Sequence, residues 1–175
     1  MPENIVIALD AMGGDHAPDI VVKGIDIVRI QFPQARFLLF GDETRLEPLL
    51  KAYPGVRKSS MRLAIDAVRD GEAGAVVSAG NTGALMAMAK FSLRMMAGID
   101  RPAIASVLPS PRGETVMLDL GANVECDAEN LVQFAFMGAD FARAVLGRVP
   151  PRVALLNVGS EELKGHDTIK AAGDR

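Results

Sequence analysis

Cysteine and histidine are scarce in this chain of 175 residues, which has one cysteine and two histidines. The chain also lacks an excess of basic residues, because it has 19 Lys and Arg against 22 Asp and Glu. A single cysteine cannot form an internal disulfide, which favours a reducing cytoplasm. One cysteine and two histidines are also too few for a structural zinc site built from those ligands. The net charge of −3 argues against bulk nucleic-acid binding, which needs a basic surface.

Long uninterrupted apolar runs are missing as well. The longest, residues 83–99, carries Lys90 and Arg94 and is shorter than the about 20 residues that a bilayer span needs. We therefore expect a buried helix of a soluble protein, because charges at membrane depth are costly. The first residues lack the basic region and cleavage site of a signal peptide, so we expect none.

Short apolar runs alternate with longer helical stretches through the chain. An unbroken apolar run such as residues 5–9 is typical of a parallel strand covered on both faces. The alternation predicts an α/β fold, a three-layer α/β/α sandwich with a mainly parallel sheet. The predicted strands are 5–9, 37–40, 75–78, 103–108, 115–120 and 153–158. The predicted helices are 19–30, 43–53, a helix through 70 that follows a cap at 59–60, 83–97, a helix to 146 that Asp127 caps, and 167–172.

The alternation breaks at residues 54–58, where two predicted helices follow each other with no strand between them. Either the layout changes there, or a segment is missing from the chain. The chain also stops one helix after a strand that looks buried. We therefore expect residues 1–175 to form a single α/β domain that is a fragment of a longer protein.

Four of the predicted strand ends carry loops rich in glycine and asparagine. Ligands of open α/β sheets bind beyond the carboxyl ends of the strands, and helix N-termini there suit phosphate. Any one such loop is more often a simple turn, but four together favour a site for an anion or polar ligand. None matches a nucleotide-binding or nucleophile-elbow motif. The candidate ligand-binding residues are Asp10, Gly13, Gly14, His16, Gly80, Asn81, Thr82, Gly83, Asp119, Asn123 and Asn157.

Some side chains leave two interpretations open. His16 is either an acid/base or phosphate ligand or a histidine bonded in a turn. Lys164 precedes a glycine and is either a flexible lysine that reaches the ligand or a solvated one. Asp10, Asp119 and Asp127 could hold a metal, although such carboxylates more often cap turns and helices.

Several long motifs closely resemble the PlsX family, the bacterial phosphate acyltransferases of phospholipid synthesis. The resemblance covers nearly the whole chain. The motifs are IALDAMGGDHAP at 7–18, KSSM at 58–61, SAGNTGALM at 78–86, GIDRPA at 98–103, LDLGAN at 118–123 and LLNVG at 155–159.

The resemblance implies a fold like those of isopropylmalate dehydrogenase and phosphotransacetylase. It implies transfer of an acyl group from acyl-acyl-carrier-protein to inorganic phosphate, without a metal or organic cofactor. The acyl phosphate would pass to a membrane acyltransferase that acts on glycerol 3-phosphate. It further implies a cytoplasmic homodimer with peripheral membrane contact. Rival functions are a phosphotransacetylase that uses coenzyme A, and a non-catalytic scaffold of lipid synthesis.

The resemblance also implies residue roles and two departures. Lys164 is the best candidate to orient phosphate or stabilise the tetrahedral intermediate. An acidic carrier protein needs a local basic patch, for which the alternative is a solvated helix face. Family members have a further strand in the segment that precedes Arg57, after the predicted helix that ends at Tyr53. They also have a second half, so the present chain would be their amino-terminal half. The candidate docking residues are Arg57, Lys58, Arg62 and Arg69.

Overall fold

The chain forms two compact units, Met1–Arg94 and Met95–Arg175, which are described in turn. The computed structural model describes residues 5–50, 61–111, 113–159, 161 and 164–175. The expectation of one domain, half of a longer protein, stays a prediction.

A parallel three-stranded sheet forms the centre of the first unit. The strands are β1 (Ile5–Asp10), β2 (Ala35–Phe40) and β3 (Ala75–Ser78), in the order β2-β1-β3. In register, Asp10 lies beside Phe40 on one side and Ser78 on the other. The carboxyl ends of the three strands therefore meet at one edge of the sheet.

Helices cover both faces of this sheet, because alternate strand residues point to opposite faces. The helices are α1 (Asp19–Gln31), α2 (Glu43–Leu50), α3 (Met61–Arg69) and α4 (Thr82–Leu93). On one face the buried Leu39 packs with Val22 of α1 and Leu46 of α2. On the other face the buried Ala8 packs with Ala64 of α3, and α4 contacts α3. This unit thus has the three layers that the sequence predicts.

The second unit pairs a short hairpin with two helices. These are β4 (Ser106–Ser110) and β5 (Gly113–Met117), which are antiparallel, and α5 (Ala128–Leu146) and α6 (Asp167–Gly173). Both β5 and α6 contact α5. Asp127 and Asn130 form a reciprocal capping box at the start of α5, and Gly147 ends it with a φ of 63°, as a left-handed C-cap does.

The predicted strand at 153–158 is wrong for the part of the chain that the structure describes. Those residues form no strand, and Val153, Leu156 and Val158 are 55%, 77% and 81% exposed. An apolar run becomes a strand only where a neighbouring strand takes up its backbone hydrogen bonds. In the described residues β4 and β5 pair only with each other.

Smaller differences concern the ends of elements. α4 ends at Leu93 instead of residue 97, because Arg94 has a φ of 66° that no helix continues. The antiparallel strands lie at 106–110 and 113–117 instead of 103–108 and 115–120. The predicted break at 54–58 and the cap at 59–60 lie outside the described residues.

Within the described ranges, each helix is either too short or too polar to cross a bilayer.

Candidate functional site

A hydrogen-bond network joins the loops that follow β1 and β3. The Ser78 hydroxyl donates to Asp10 Oδ2 at 2.7 Å, and the Met12 N–H donates to Asp10 Oδ1 at 3.1 Å. The Gly80 N–H in turn donates to Ser78 Oγ at 3.1 Å. Asp10 is only 4% exposed, and a buried carboxylate needs such partners. Its position is therefore determined by the two loops, and it holds them together.

Two glycines let these loops touch backbone to backbone. A Cβ atom on Gly13 would lie 2.6 Å from the Gly80 nitrogen and 2.8 Å from Asp10 Oδ2. A Cβ atom on Gly80 would lie 2.7 Å from Met61 Cε. No larger residue fits at Gly13 unless the loops move apart, because its neighbours are a backbone atom and a hydrogen-bonded carboxylate.

The two loops enclose one side of a cleft of about 590 Å³ in the first unit. Five of the predicted site residues line it, whereas His16, Thr82 and Gly83 are not among its lining residues. The cleft is lined by Asp10, Met12, Gly13, Gly14, Asp15, Met61, Ala79, Gly80 and Asn81. Two of the four predicted loops thus contribute to one cleft, and Met61, which the sequence analysis does not single out, reaches it from α3.

The N-terminus of α4 lies at the wall of this cleft. Asn81, which lines the cleft, is the N-cap of α4, and its Oδ1 accepts the Ala84 N–H at 2.9 Å. The N–H groups of Thr82 and Gly83 have no acceptor among the residues that the structure describes. Free N–H groups at a helix start carry the positive end of the helix dipole and attract anions. The arrangement suits a small anion such as phosphate.

In the second unit, Asp119 organises its own loop. Its carboxylate accepts the N–H groups of Ile104 at 2.8 Å, Asn123 at 2.7 Å and Ala122 at 3.2 Å, and the Asn123 side-chain amide at 3.0 Å. Burial of the carboxyl raises its pKa, but these hydrogen bonds together outweigh burial and lower the pKa of Asp119. Two predicted site residues, Asp119 and Asn123, are thus hydrogen-bonded to each other.

Asn157 and Lys164, two other predicted site residues, are also linked. The Asn157 amide donates to the Lys164 carbonyl oxygen at 3.2 Å, and its Oδ1 accepts the Val158 N–H at 2.9 Å. Gly165, with a φ of 90°, lies so close that a Cβ atom there would be 2.3 Å from Asn157 Oδ1. Lys164 is exposed, and its ammonium forms no ion pair with any described residue.

The predicted docking arginines differ in their surroundings. Arg69 binds both oxygens of Asp70, at 2.8 and 2.9 Å, and reaches Asp66 Oδ1 at 2.8 Å. The hydrogen bond with Asp70 raises the pKa of Arg69 and lowers that of Asp70. Arg62 lies 3.7 Å from Asp66 Oδ2, and its side chain is 75% exposed. Two further predicted docking residues, Arg57 and Lys58, lie outside the described residues.

A metal centre finds no support among the described side chains, where His, Cys, Asp and Glu form no group of three that could hold an ion. Burial, and then the charge of Asp119, raises the pKa of the Cys126 thiol. A raised pKa leaves little thiolate at neutral pH, which makes Cys126 a poor nucleophile. The absence of a metal or cofactor from the reaction stays a prediction.

Comparison with known proteins identifies the family. The model of a family described as "Fatty acid synthesis protein" matches residues 5–56 and 50–174. The chain belongs to this family. A Rhodospirillum centenum protein named phosphate acyltransferase is 58% identical over 98% of this chain and 56% of its own length. A Paramagnetospirillum magneticum protein of the same name is 52% identical over the same shares of the two chains. The resemblance to the PlsX family is thereby confirmed.

The fold prediction is confirmed by a solved structure. EutD phosphotransacetylase from Staphylococcus aureus matches 97% of this chain and 62% of its own with a TM-score of 0.73. At 16% sequence identity, the likeness concerns the fold alone.

This member of the fatty acid synthesis protein family spans about half the length of the curated relatives it matches. The match with a Rhodospirillum rubrum relative covers 201 residues and all of this chain of 175, so it includes positions with no counterpart here. The two parts of the family match overlap at residues 50–56, and the missing segment near residues 54–58 stays a prediction.

Proposed function

We propose that this chain is part of a phosphate acyltransferase that joins inorganic phosphate to the acyl group of acyl-acyl-carrier-protein. The products are acyl phosphate, a precursor for phosphatidic acid and phospholipids, and free carrier protein. The observation that carries the proposal is the cleft at the ends of β1 and β3, where α4 begins. Its volume of about 590 Å³ lies in the range of small-molecule sites, about 300–1,000 Å³.

Phosphate binds, in this proposal, at the α4 side of the cleft. The free N–H groups of Thr82 and Gly83 and the cap residue Asn81 offer neutral donors at the positive end of the helix dipole. Neutral donors hold the anion while leaving an oxygen free to attack. Asp15 also lines the cleft, and its negative charge repels phosphate, which favours the position against α4.

The acyl-transfer step then needs no covalent enzyme intermediate. A phosphate oxygen attacks the thioester carbonyl carbon, and a tetrahedral intermediate with a negative oxygen forms. When the intermediate collapses, the C–O bond to phosphate remains and the C–S bond breaks. The phosphopantetheine sulfur leaves as a thiolate with the bonding electron pair and then takes a proton from solvent. Donors aimed at the developing oxyanion typically contribute about 3–4 kcal/mol.

Lys164 is the residue that we propose to orient the phosphate or to stabilise that oxyanion. Support comes from the family resemblance and from two observations in the second unit. Its ammonium is not neutralised by any described carboxylate, and Asn157 fixes its backbone through the Lys164 carbonyl. Asp10 and Asp119 hold loops in this proposal, since backbone and hydroxyl donors already occupy their oxygens.

The wider setting rests on the family resemblance alone. We propose a cytoplasmic homodimer with peripheral membrane contact that passes acyl phosphate to a membrane glycerol-3-phosphate acyltransferase. We propose that the reaction uses neither a metal nor an organic cofactor.

The test is product formation by the full-length protein. Purified protein is incubated with phosphate and either palmitoyl-acyl-carrier-protein or palmitoyl-coenzyme A, and acyl phosphate is trapped with hydroxylamine and quantified. We expect product with the carrier-protein substrate, strictly dependent on phosphate. Preference for the coenzyme A substrate would make the protein a phosphotransacetylase, and absence of product with both would favour a scaffold.

A further inference from the structure

A second groove, separate from the cleft, lies between α3 and α4 of the first unit. It has a volume of about 510 Å³. α3 contributes Arg62 and Arg69 on one helix face, and α4 contributes Met88, Phe91 and Ser92 at helical spacing. Arg94, immediately after α4, also lines it. The groove therefore combines an apolar strip with three arginines and has no carboxylate in its lining.

The three arginines differ in how much charge they offer. Asp66 and Asp70 neutralise Arg69. Arg62 has only a distant contact with Asp66, at 3.7 Å. Arg94 is exposed and has no ion-pair partner among the described residues. The charge available to a partner is thus that of Arg62 and Arg94.

The apolar strip is unusually exposed for its residue types. Phe91 is 85% exposed and Met88 is 38% exposed. Both belong to α4, which has no buried residue. Exposed aromatic and methionine side chains beside arginines have the composition of an interface centre.

The backbone at Arg94 gives an independent indication. Its φ of 66° and ψ of 167° lie in a region that essentially only glycine adopts without strain. Glycine would adopt this backbone conformation at the end of α4 with less strain, yet the residue here is an arginine that lines the groove. Such strained residues concentrate at functional sites, and here the strained residue places a cation in the lining of the groove.

We propose that the α3–α4 groove docks an acidic carrier protein, with Phe91 and Met88 receiving its apolar residues and Arg62 and Arg94 facing its carboxylates. This inference rests on the proposed function, which requires a carrier protein as acyl donor. A concave groove between two helices suits a partner helix. An anionic membrane fits less well, because the apolar strip lies within a concavity that a flat bilayer surface does not follow.

The decisive experiment measures binding separately from turnover. Full-length protein is titrated with fluorescently labelled bacterial holo-acyl-carrier-protein, and anisotropy gives the Kd. The test variants are the double substitution Arg62→Glu, Arg94→Glu and the single substitution Phe91→Ala. The matched controls are Arg36→Glu, an exposed arginine of β2 outside the groove, and Ile30→Ala, a 74% exposed residue of α1. Circular dichroism confirms that each variant is folded.

We expect the charge reversal to raise Kd about tenfold or more at low salt, because like charges then face each other across the interface. The difference should shrink as salt rises. Phe91→Ala should weaken binding severalfold, and both controls should bind like the wild type. A second variant, Arg94→Gly, separates charge from strain: it should weaken binding while raising Tm.

Three results would overturn the docking proposal: unchanged Kd in the groove variants, equal losses in the controls, or no binding of carrier protein by the wild type. So would loss of binding to phosphatidylglycerol vesicles with carrier-protein binding intact, which would make the groove a membrane contact. If the groove variants lose carrier binding but the wild type forms no acyl phosphate, docking stands and the proposed reaction falls. If acyl phosphate forms and the variants bind normally, the reaction stands without this docking site.

Discussion

Gly13 is a position of the first unit at which any side chain would meet both backbone and a hydrogen-bonded carboxylate. The Gly13→Ala substitution adds one methyl group, which would lie 2.6 Å from the Gly80 nitrogen and 2.8 Å from Asp10 Oδ2. Neither neighbour can give way cheaply. The Gly80 nitrogen is backbone that donates to Ser78, and the Asp10 carboxylate is held by Ser78 and Met12.

The expected cost follows from this geometry. Forcing a methyl group into a packed site typically costs about 1–3 kcal/mol. For a chain of this size, each kcal/mol lowers Tm by about 2–4 °C. The loops at the ends of β1 and β3 must part, so the cleft should lose its fit to phosphate as well. We therefore expect the KM for phosphate to rise in the full-length enzyme.

Two other glycines serve as controls, because they separate contact from backbone strain. Gly24 lies inside α1 with nothing within 4 Å of an added Cβ, so Gly24→Ala should stabilise the fold by about 0.5–1 kcal/mol. Gly71 also has open space but a φ of 78°, so Gly71→Ala should show the left-handed penalty alone, about 1 kcal/mol.

Thermal and urea unfolding of the three variants test the ranking. Stability should fall in the order Gly24→Ala, wild type, Gly71→Ala, Gly13→Ala. The phosphate KM should change only for Gly13→Ala. If Gly13→Ala is as stable as the wild type and binds phosphate normally, the two loops do not touch as described and the cleft argument fails.

Three further substitutions probe the second unit. Lys164→Ala should keep the fold but lower acyl-phosphate formation by about 10²–10³, with poor rescue by Lys164→Arg; near wild-type turnover would make Lys164 a surface lysine. Because folding lowers the pKa of Asp119, its carboxylate stabilises the fold above its ordinary pKa, and this stability disappears as pH falls through the folded-state pKa. Asp119→Asn should therefore lower stability at pH 7 and flatten its loss below pH 4, which acid titration followed by circular dichroism measures. Gly165→Ala should destabilise more than Gly71→Ala in urea, because it adds contact with Asn157 to the left-handed penalty; equal losses would contradict this.

The first unit could be predicted well from the sequence because its signals are local. The apolar runs at β1 and β2 are unbroken, and each is followed by a glycine or aspartate turn and a helix. The start of α5 could also be predicted, since Asp127 is a strong N-cap residue. The end of α4 could not be predicted from the sequence. The apolar pattern continues past Leu93, and only the backbone at Arg94 stops the helix.

Non-local pairing accounts for the prediction that failed. Residues 153–158 have the composition of a buried strand, but composition does not supply a neighbour with free backbone groups. In the described residues no strand lies beside this segment. Met61 was missed at the cleft for a similar reason. Nothing in the spacing of the glycine loops shows that α3 will direct a methionine against Gly80.

Asp10 and Asp119 show how far a sequence motif can indicate a role. Both follow or end an apolar run beside a glycine loop, which favours a ligand site. Yet each carboxylate already accepts loop donors: Met12 and Ser78 for Asp10, and three N–H groups with the Asn123 amide for Asp119. A carboxylate beside an anion repels it, and both of these carboxylates are engaged by donors of their own loops instead. An aspartate at a strand end of this chain thus indicates a shaped loop first, and recognition of an anion by backbone N–H groups stays a proposal.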